Sequence, residues 1–264
     1  MGASARLRFV TAIAVTALFL TSCGGGSSAA SSAAVGASVP VTFTTDDGVK
    51  LAGRVFGPAG AEAGVVLAHM LPADQRSWYP FAQRLAEQGF RVLTFDFRGY
   101  CPGGDGGCSE GTKQVDATPV DLQAAVDRLR ADGVERVGIA GASMGGTAAL
   151  LVAAEDPRGI PAVVALSAPQ AIEGLAVGPE VLQRVTGAKL YIAGLGDPAG
   201  AVAAADAMAA MSPQPMREEI VTDDAHGTDL LSSAQGERVQ ELIEQWFGQW
   251  LAAPPSPAAT VTQP

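Results

Sequence analysis

The residues with the clearest potential for chemistry are a serine, an aspartate and a histidine that lie far apart in the chain. Ser143 is the centre of the pentapeptide Gly141-Ala142-Ser143-Met144-Gly145, and Asp197 and His226 follow it in that order. A serine hydroxyl becomes a strong nucleophile when a base removes its proton and a third group holds that base. Together the three side chains could attack an acyl carbon.

The segments around Ser143 predict how this serine is presented. An apolar, strand-like stretch covers residues 136–140, and an Ala-rich helical stretch covers residues 146–154. Ser143 should therefore occupy a strained turn between strand and helix, with glycines at 141 and 145 to avoid collisions with neighbouring backbone. Such a pentapeptide also occurs by chance at a glycine-rich helix start, so the prediction depends on the flanking elements.

The choice of base lies between the two histidines of the sequence, His69 and His226. His69 follows an early predicted strand, whereas His226 follows the last one. The late loop is the better place for a base that serves Ser143, although an exposed loop histidine is the alternative interpretation.

The acid that would orient His226 should follow the predicted strand at 190–193. Asp197 is the first carboxylate beyond that strand. A turn aspartate before Pro198 is the alternative interpretation. Asp223 and Asp224 are rivals, but they precede His226 so closely that reaching its ring would be awkward.

Strands and helices alternate through the middle of the chain, which predicts an α/β fold with a mostly parallel sheet and helices on both faces. In such sheets the functional loops gather at the carboxyl ends of the strands. The loops that should meet there begin near His69, Phe97, Ser143, Ser167, Asp197 and His226. A β-hairpin opens the domain at residues 39–56; further strands are predicted at 64–69, 91–97, 162–167, 189–193 and 216–222, and helices at 78–88, 120–129, 201–211 and 237–251.

The composition excludes one class of partner. The chain has 264 residues, 48% of them hydrophobic, and a formal net charge of −10. No Lys/Arg cluster could follow a phosphate backbone, so we expect no nucleic-acid partner.

The N-terminus predicts export. Arg6 and Arg8 precede an uncharged apolar run at 9–20, which ends in Leu20-Thr21-Ser22-Cys23. This ending resembles the bacterial lipobox, so we expect lipidation of Cys23 and a membrane anchor on the extracytoplasmic face of the bacterial cell membrane. An ordinary secretory signal is the alternative. The predicted divisions are a signal peptide at 1–22, a Gly/Ser/Ala-rich flexible tether at 23–38, one domain at 39–252 and a disordered Pro/Ala-rich tail at 253–264.

Several motifs together resemble the α/β-hydrolase superfamily, in particular serine esterases and dienelactone hydrolase-like proteins. The resemblance covers about residues 40–250 and implies an eight-stranded, mostly parallel sheet. It also implies the chain order nucleophile, acid, histidine. About 20 residues separate Ser167 from Lys189, which leaves little or no room for a cap domain. The motifs are Val66-Leu67-Ala68-His69, Phe95-Asp96-Phe97-Arg98-Gly99-Tyr100, Gly141-Ala142-Ser143-Met144-Gly145-Gly146, residues 194–197 and His226-Gly227.

The resemblance also implies an oxyanion hole made of backbone N–H groups. One donor would be Met144, after the nucleophile, and the other Leu71, with Met70 as the alternative. Met70 stands where the family pattern has glycine, which puts the path of this loop in question. His69 would then be a structural, hydrogen-bonding residue.

The loop after Tyr100 departs from the family pattern through a Gly-rich insertion at residues 101–108. Outside the cytoplasm Cys101 and Cys108 should form a disulfide, and we expect the clamped loop to form part of the pocket wall. A redox or metal-binding pair fits this spacing less well.

These observations predict a lipid-anchored serine hydrolase that acts on a carboxylic ester or related acyl compound, without a metal or organic cofactor. Acyl transfer on the same three residues is one alternative, and a non-catalytic binding protein of the envelope is another. The expected partners are a small ester or acyl substrate and the membrane; the sequence leaves the oligomeric state open.

Overall fold

The computed structural model describes residues 38–252. The predicted signal peptide, Cys23, almost all of the predicted tether and the predicted tail lie outside these residues. Within the described range the strands are β1 Val39–Thr44, β2 Lys50–Phe56, β3 Ala63–Ala68, β4 Arg91–Phe95, β5 Arg136–Ala142, β6 Ala162–Leu166, β7 Ala171–Ile172, β8 Leu175–Ala176, β9 Ala188–Gly194 and β10 Met216–Val221. The α-helices are α1 Tyr79–Glu87, α2 Thr118–Ala131, α3 Met144–Glu155, α4 Pro179–Leu182, α5 Ala201–Met211 and α6 Gly236–Trp250. Short 3-10 helices cover Gln75–Trp78, Gly104–Gly106 and Gly227–Ser232.

Eight of the strands in the described range form one sheet in the order β1-β2-β4-β3-β5-β6-β9-β10. The β1–β2 and β2–β4 pairs are antiparallel, and the pairs from β4 to β10 are parallel. The predicted fold class, an eight-stranded and mostly parallel sheet flanked by helices, is therefore confirmed. Its parallel part brings the carboxyl ends of six neighbouring strands to one edge.

Two apolar layers enclose the sheet. Helices α2, α3 and α5 pack on one face, and α1 and α6 pack on the other. The strands β6 and β9 are buried along their whole length, as expected for parallel strands covered on both faces. On α6 the buried residues Val239, Leu242, Ile243, Trp246 and Phe247 follow helical spacing and form its inner face.

The region between β6 and β9 agrees with the expectation of little or no cap, but it contains a hairpin that the sequence did not predict. It forms the two-stranded hairpin β7–β8 and the single-turn helix α4, and no larger cap. Two residues per strand are too few to show the alternation by which strands are recognised in a sequence. None of the helices described in residues 38–252 has the length and apolar character needed to span a bilayer.

Candidate active site

Ser143 occupies the turn between β5 and α3, as the pentapeptide predicts. Its backbone has φ 48° and ψ −117°, a conformation that residues other than glycine rarely adopt. Its N–H donates to the carbonyl of Leu166, 2.8 Å away at the end of β6. Such strained residues cost roughly 1–3 kcal/mol and persist only where the surrounding structure holds them.

The two glycines of the pentapeptide are sterically required. A side chain at Gly141 would collide with the carbonyl group of Gly145. A Cβ atom at Gly145 would lie 2.5 Å from the Ala68 oxygen and 2.7 Å from the His69 oxygen, which is closer than real Cβ contacts. The first turn of α3 therefore lies directly against the end of β3, and glycine alone permits this approach.

Asp197 and His226 meet across the carboxyl edge of the sheet. His226 Nδ1 lies 2.8 Å from Oδ2 and 3.0 Å from Oδ1 of Asp197, which follows β9. The Asp197 side chain is fully buried, and Ala199 N–H donates to its Oδ1 at 2.9 Å. Because a carboxylate only accepts, the ring donates through Nδ1, and its Nε2 is then available to take a proton.

The nearby carboxylates have other tasks. Asp223 accepts from Ala225 N–H at 2.9 Å and from Gln235 N–H at 3.3 Å, so it stabilises the loop that carries His226. A hydrogen bond from the Ser233 side chain, together with these backbone donors, lowers the pKa of Asp223. Asp224 is exposed, and its carboxylate accepts no hydrogen bond from His226.

Ser143 and His226 line the same cavity, of about 190 Å³. Ser167, Ile172 and Ala199 also line it, so β6, the β7–β8 hairpin and the loop after β9 all contribute walls. The hydrogen bonds of the His226 ring run to Asp197, and none in the described chain joins it to Ser143 Oγ. Catalytic hydrogen bonds are often long in free enzymes and tighten only when substrate is bound.

His69 has the structural role that the sequence suggests. Its Nδ1 donates to the Met70 carbonyl at 3.0 Å, and its Nε2 accepts from Phe97 N–H at 3.2 Å. Burial lowers its pKa to about 4, so the ring is neutral near neutral pH. It also packs edge-on against Tyr100, with 4.5 Å between ring centroids. A buried ring with both nitrogens engaged fixes the loop after β3 and has no free position for a proton.

The path of that loop explains why Met70 is tolerated. The side chain of Met70 is buried and packs against Gly227, where any Cβ would collide with its sulfur atom. Leu71 N–H and Met144 N–H, the two predicted oxyanion donors, have no hydrogen-bond acceptor within the described residues. Both residues line a second cavity, of about 240 Å³.

The structure contains the predicted disulfide between Cys101 and Cys108. The expectation that its loop forms a wall of the catalytic pocket is wrong, because none of residues 101–108 lines either cavity beside Ser143. The loop is held instead against β2 and the segment after β3. Gln75 Nε2 donates to the Gly106 carbonyl at 2.9 Å, and Arg54 donates to the Asp105 carbonyl at 2.7 Å.

Within residues 38–252 no group of three or more His, Cys, Asp or Glu side chains is arranged to hold a metal ion. The candidate site is thus built from Ser143, His226, Asp197 and backbone N–H groups. Ser167 begins one of the loops that the sequence places at this edge of the sheet, whereas the β7–β8 hairpin carries no motif and was missed by sequence reasoning.

Comparison with known proteins identifies the family. Residues 65–211 match the family model described as alpha/beta hydrolase fold. The chain belongs to the α/β-hydrolase superfamily, as its motifs suggest.

The individual curated relatives match only part of the chain. The chain is 34% identical over 133 residues to the uncharacterized protein YfhR of Escherichia coli O157:H7, a match that covers 47% of this chain and 45% of YfhR. It therefore spans less than half the length of the curated relatives it matches.

Solved structures show the same fold at low identity. The esterase Pf2001 of Pyrococcus furiosus superposes with a TM-score of 0.66 at 21% identity, over 82% of this chain and 92% of that protein. The dienelactone hydrolase of Anabaena variabilis gives a TM-score of 0.64 at 23% identity, over 81% and 98% of the two chains.

Proposed function

We propose that this protein is a serine hydrolase that cleaves a carboxylic ester or a related acyl bond. The observation that carries the proposal is the hydrogen bond between buried Asp197 and half-buried His226, which lines the same cavity as Ser143 on its strained turn. Two structural neighbours are an esterase and a dienelactone hydrolase, which supports this class of reaction.

In the proposed reaction Ser143 Oγ attacks the substrate carbonyl carbon while His226 Nε2 takes the hydroxyl proton. Asp197 holds the ring through Nδ1–H and stabilises the imidazolium that forms. The N–H groups of Met144 and Leu71 donate to the oxyanion, and losing one such donor typically costs roughly 3 kcal/mol of transition-state stabilisation. His226 then protonates the leaving alkoxide, and an activated water releases the acyl group from Ser143 by the same steps in reverse.

A fluorophosphonate probe tests the nucleophile. We expect labelling of the purified, disulfide-intact protein at Ser143, and hydrolysis of short p-nitrophenyl esters that Ser143→Ala abolishes. Absence of both labelling and hydrolysis would contradict the proposal and favour a binding role. Product analysis with an added alcohol distinguishes hydrolysis from acyl transfer.

We further propose that the domain is anchored to the extracytoplasmic face of the bacterial membrane through a lipid on Cys23. The support is the sequence Leu20-Thr21-Ser22-Cys23 after an apolar run. Metabolic labelling with an alkyne fatty acid should mark the wild-type protein and leave Cys23→Ser unlabelled. Equal labelling of both would contradict the anchor.

A further inference from the structure

The second cavity, of about 240 Å³, adjoins the proposed oxyanion hole, because Leu71 and Met144 belong to its walls. Phe97, Tyr100 and Val115 add further apolar and aromatic surface. This cavity is therefore contiguous with the position that the substrate carbonyl would occupy, and it has a predominantly apolar interior suited to a hydrocarbon chain.

The β7–β8 hairpin separates this cavity from the one that contains His226. Ile172 lines the His226 cavity and Glu173 lines the second cavity. Both turn residues, Glu173 at φ 39° and Gly174 at φ 93°, have left-handed backbone conformations typical of a tight hairpin turn. The hairpin thus divides the cleft beside Ser143 into two compartments.

The proposed reaction assigns a part of the substrate to each compartment. His226 must protonate the leaving oxygen, so the alcohol part lies in the cavity that Ser143 shares with His226. The acyl chain then extends past Leu71 and Met144 into the second cavity.

Two polar groups in the second cavity have no hydrogen-bond or salt-bridge partner in the described chain. The phenolic oxygen of Tyr100 is buried and forms no hydrogen bond in the described chain. Lys113 Nζ lies 3.7 Å from the centroid of the Tyr100 ring and forms no salt bridge with any residue in the range 38–252. A buried hydroxyl without a partner is unfavourable unless a ligand satisfies it.

Two further charged side chains line this cavity. Arg98 is neutralised, because its guanidinium donates to both oxygens of Asp47 and to Asp121. Glu173 is exposed on the hairpin turn, as Lys113 is on its own loop, and its negative charge would repel an anionic ligand. Lys113 is therefore the cationic side chain in this cavity that is available to pair with an anionic ligand.

We propose that the second cavity binds an acyl chain whose distal end carries a carboxylate, with Lys113 Nζ and the Tyr100 hydroxyl donating to that carboxylate. The inference rests on the proposed function and names the substrate class for the same site: an ester of a short dicarboxylic acid. Glu173, which also lines the cavity, opposes this binding through its negative charge.

The test compares two esters with equal acyl carbon number, the p-nitrophenyl monoester of adipic acid and p-nitrophenyl hexanoate. The readout is the ratio of kcat/KM for the adipate ester to kcat/KM for the hexanoate ester, with Ser143→Ala as the blank. We expect this ratio to fall at least about 10-fold in Lys113→Met and to fall in Tyr100→Phe, because each loses a donor to the carboxylate. Glu173→Gln should raise the ratio about twofold to threefold, because a repulsive charge is removed.

Lys50→Met is the matched control, because Lys50 is an exposed lysine on β2 that lines neither cavity beside Ser143. Its ratio should equal that of the wild type. If Lys113→Met and Glu173→Gln leave the ratio unchanged, the inference about the second cavity is overturned. Hydrolysis of both esters would still uphold the proposed function.

A binding measurement decides the case in which neither ester is hydrolysed. Calorimetric titration of Ser143→Ala with monomethyl adipate and with methyl hexanoate should show tighter binding of the adipate ester, and Ser143→Ala/Lys113→Met should lose that preference. Tighter binding of the adipate ester without hydrolysis of either p-nitrophenyl ester would uphold the carboxylate subsite and contradict the proposed hydrolase activity. No preference in Ser143→Ala would overturn the subsite.

Discussion

Asp197 is hydrogen-bonded to Nδ1 of His226, and this contact leaves Nε2 as the ring nitrogen that is available to take a proton. In Asp197→Asn the amide can donate to the ring as well as accept from it, so the ring can adopt the wrong tautomer. We expect kcat to fall about 10³-fold or more, with little change in the free energy of unfolding. Ester hydrolysis and chemical denaturation measure the two quantities.

The exposed carboxylate Asp224, two residues before His226, is the control for this prediction. Asp224→Asn removes the same charge near the same loop without touching the ring, so kcat should stay within about twofold of the wild type. Comparable losses in Asp197→Asn and Asp224→Asn would mean that general electrostatics, and not orientation of His226, explains the effect.

Gly227, the residue after His226, is sterically restricted to glycine. It has φ 57°, and a Cβ atom at this position would collide with the sulfur of Met70. Gly227→Ala should therefore shift Met70 or His226 and lower kcat/KM by about 10-fold or more. Gly133→Ala is the matched control, since Gly133 has φ 91° with no atom near its virtual Cβ. It should cost about 1 kcal/mol in unfolding free energy without loss of activity.

The sequence identifies the reactive residues better than their surroundings. Ser143 stands in a motif whose glycines have a steric cause, and Asp197 and His226 follow strands that the alternating pattern predicts. Tyr100 belongs to a family motif and Lys113 to none, but neither is marked by the sequence as a ligand-binding residue, because that inference depends on a missing hydrogen-bond partner and a shared cavity. Such properties depend on which loops meet in space, and no short segment of the sequence reveals them.

At the scale of elements, the strands of the sheet agree with the sequence pattern to within about two residues at their ends. Helix α3 begins at Met144, two residues before the predicted start, because Gly145 and Gly146 allow its first turn to pack against β3 and Ala168. The β7–β8 hairpin could not be predicted, since two-residue strands show no periodicity. The position of the 101–108 loop depends on long-range hydrogen bonds to Gln75 and Arg54, which leave no mark in its own sequence.

The disulfide of that loop yields a prediction about stability and function together. Closing so short a loop stabilises a domain by roughly 2.5 kcal/mol on the chain-entropy model, so the double variant Cys101→Ser/Cys108→Ser should lose about that much unfolding free energy. Because the loop lines neither cavity beside Ser143, KM for a short ester should change less than about twofold. Urea denaturation and steady-state kinetics test the two parts. A large rise in KM at temperatures where the variant is folded would contradict the placement of the loop.

At the scale of the whole molecule, two buried groups, Asp96 and His69, make opposing contributions to the pH dependence of stability. Burial raises the pKa of Asp96 to about 6 and lowers the pKa of His69 to about 4. The folded state therefore holds a proton on Asp96 more tightly than the unfolded chain, and one on His69 less tightly. Between pH 6.5 and 4, acidification stabilises the fold through Asp96 and destabilises it through His69, so the two contributions partly cancel.

Asp96→Asn removes the carboxyl group whose protonation stabilises the fold on acidification. We expect the unfolding free energy of the variant to fall by up to about 3 kcal/mol between pH 6.5 and 4, relative to the value of the same variant at pH 7. The reason is that the destabilisation through His69 is no longer offset by Asp96. The wild type should lose clearly less over the same range. Asp105→Asn is the control, since this exposed carboxylate lies in the nearby loop and its side chain forms no hydrogen bond in the described chain. Urea denaturation at several pH values gives the slopes, and equal slopes for Asp96→Asn and the wild type would show that Asp96 does not hold its proton in the folded state.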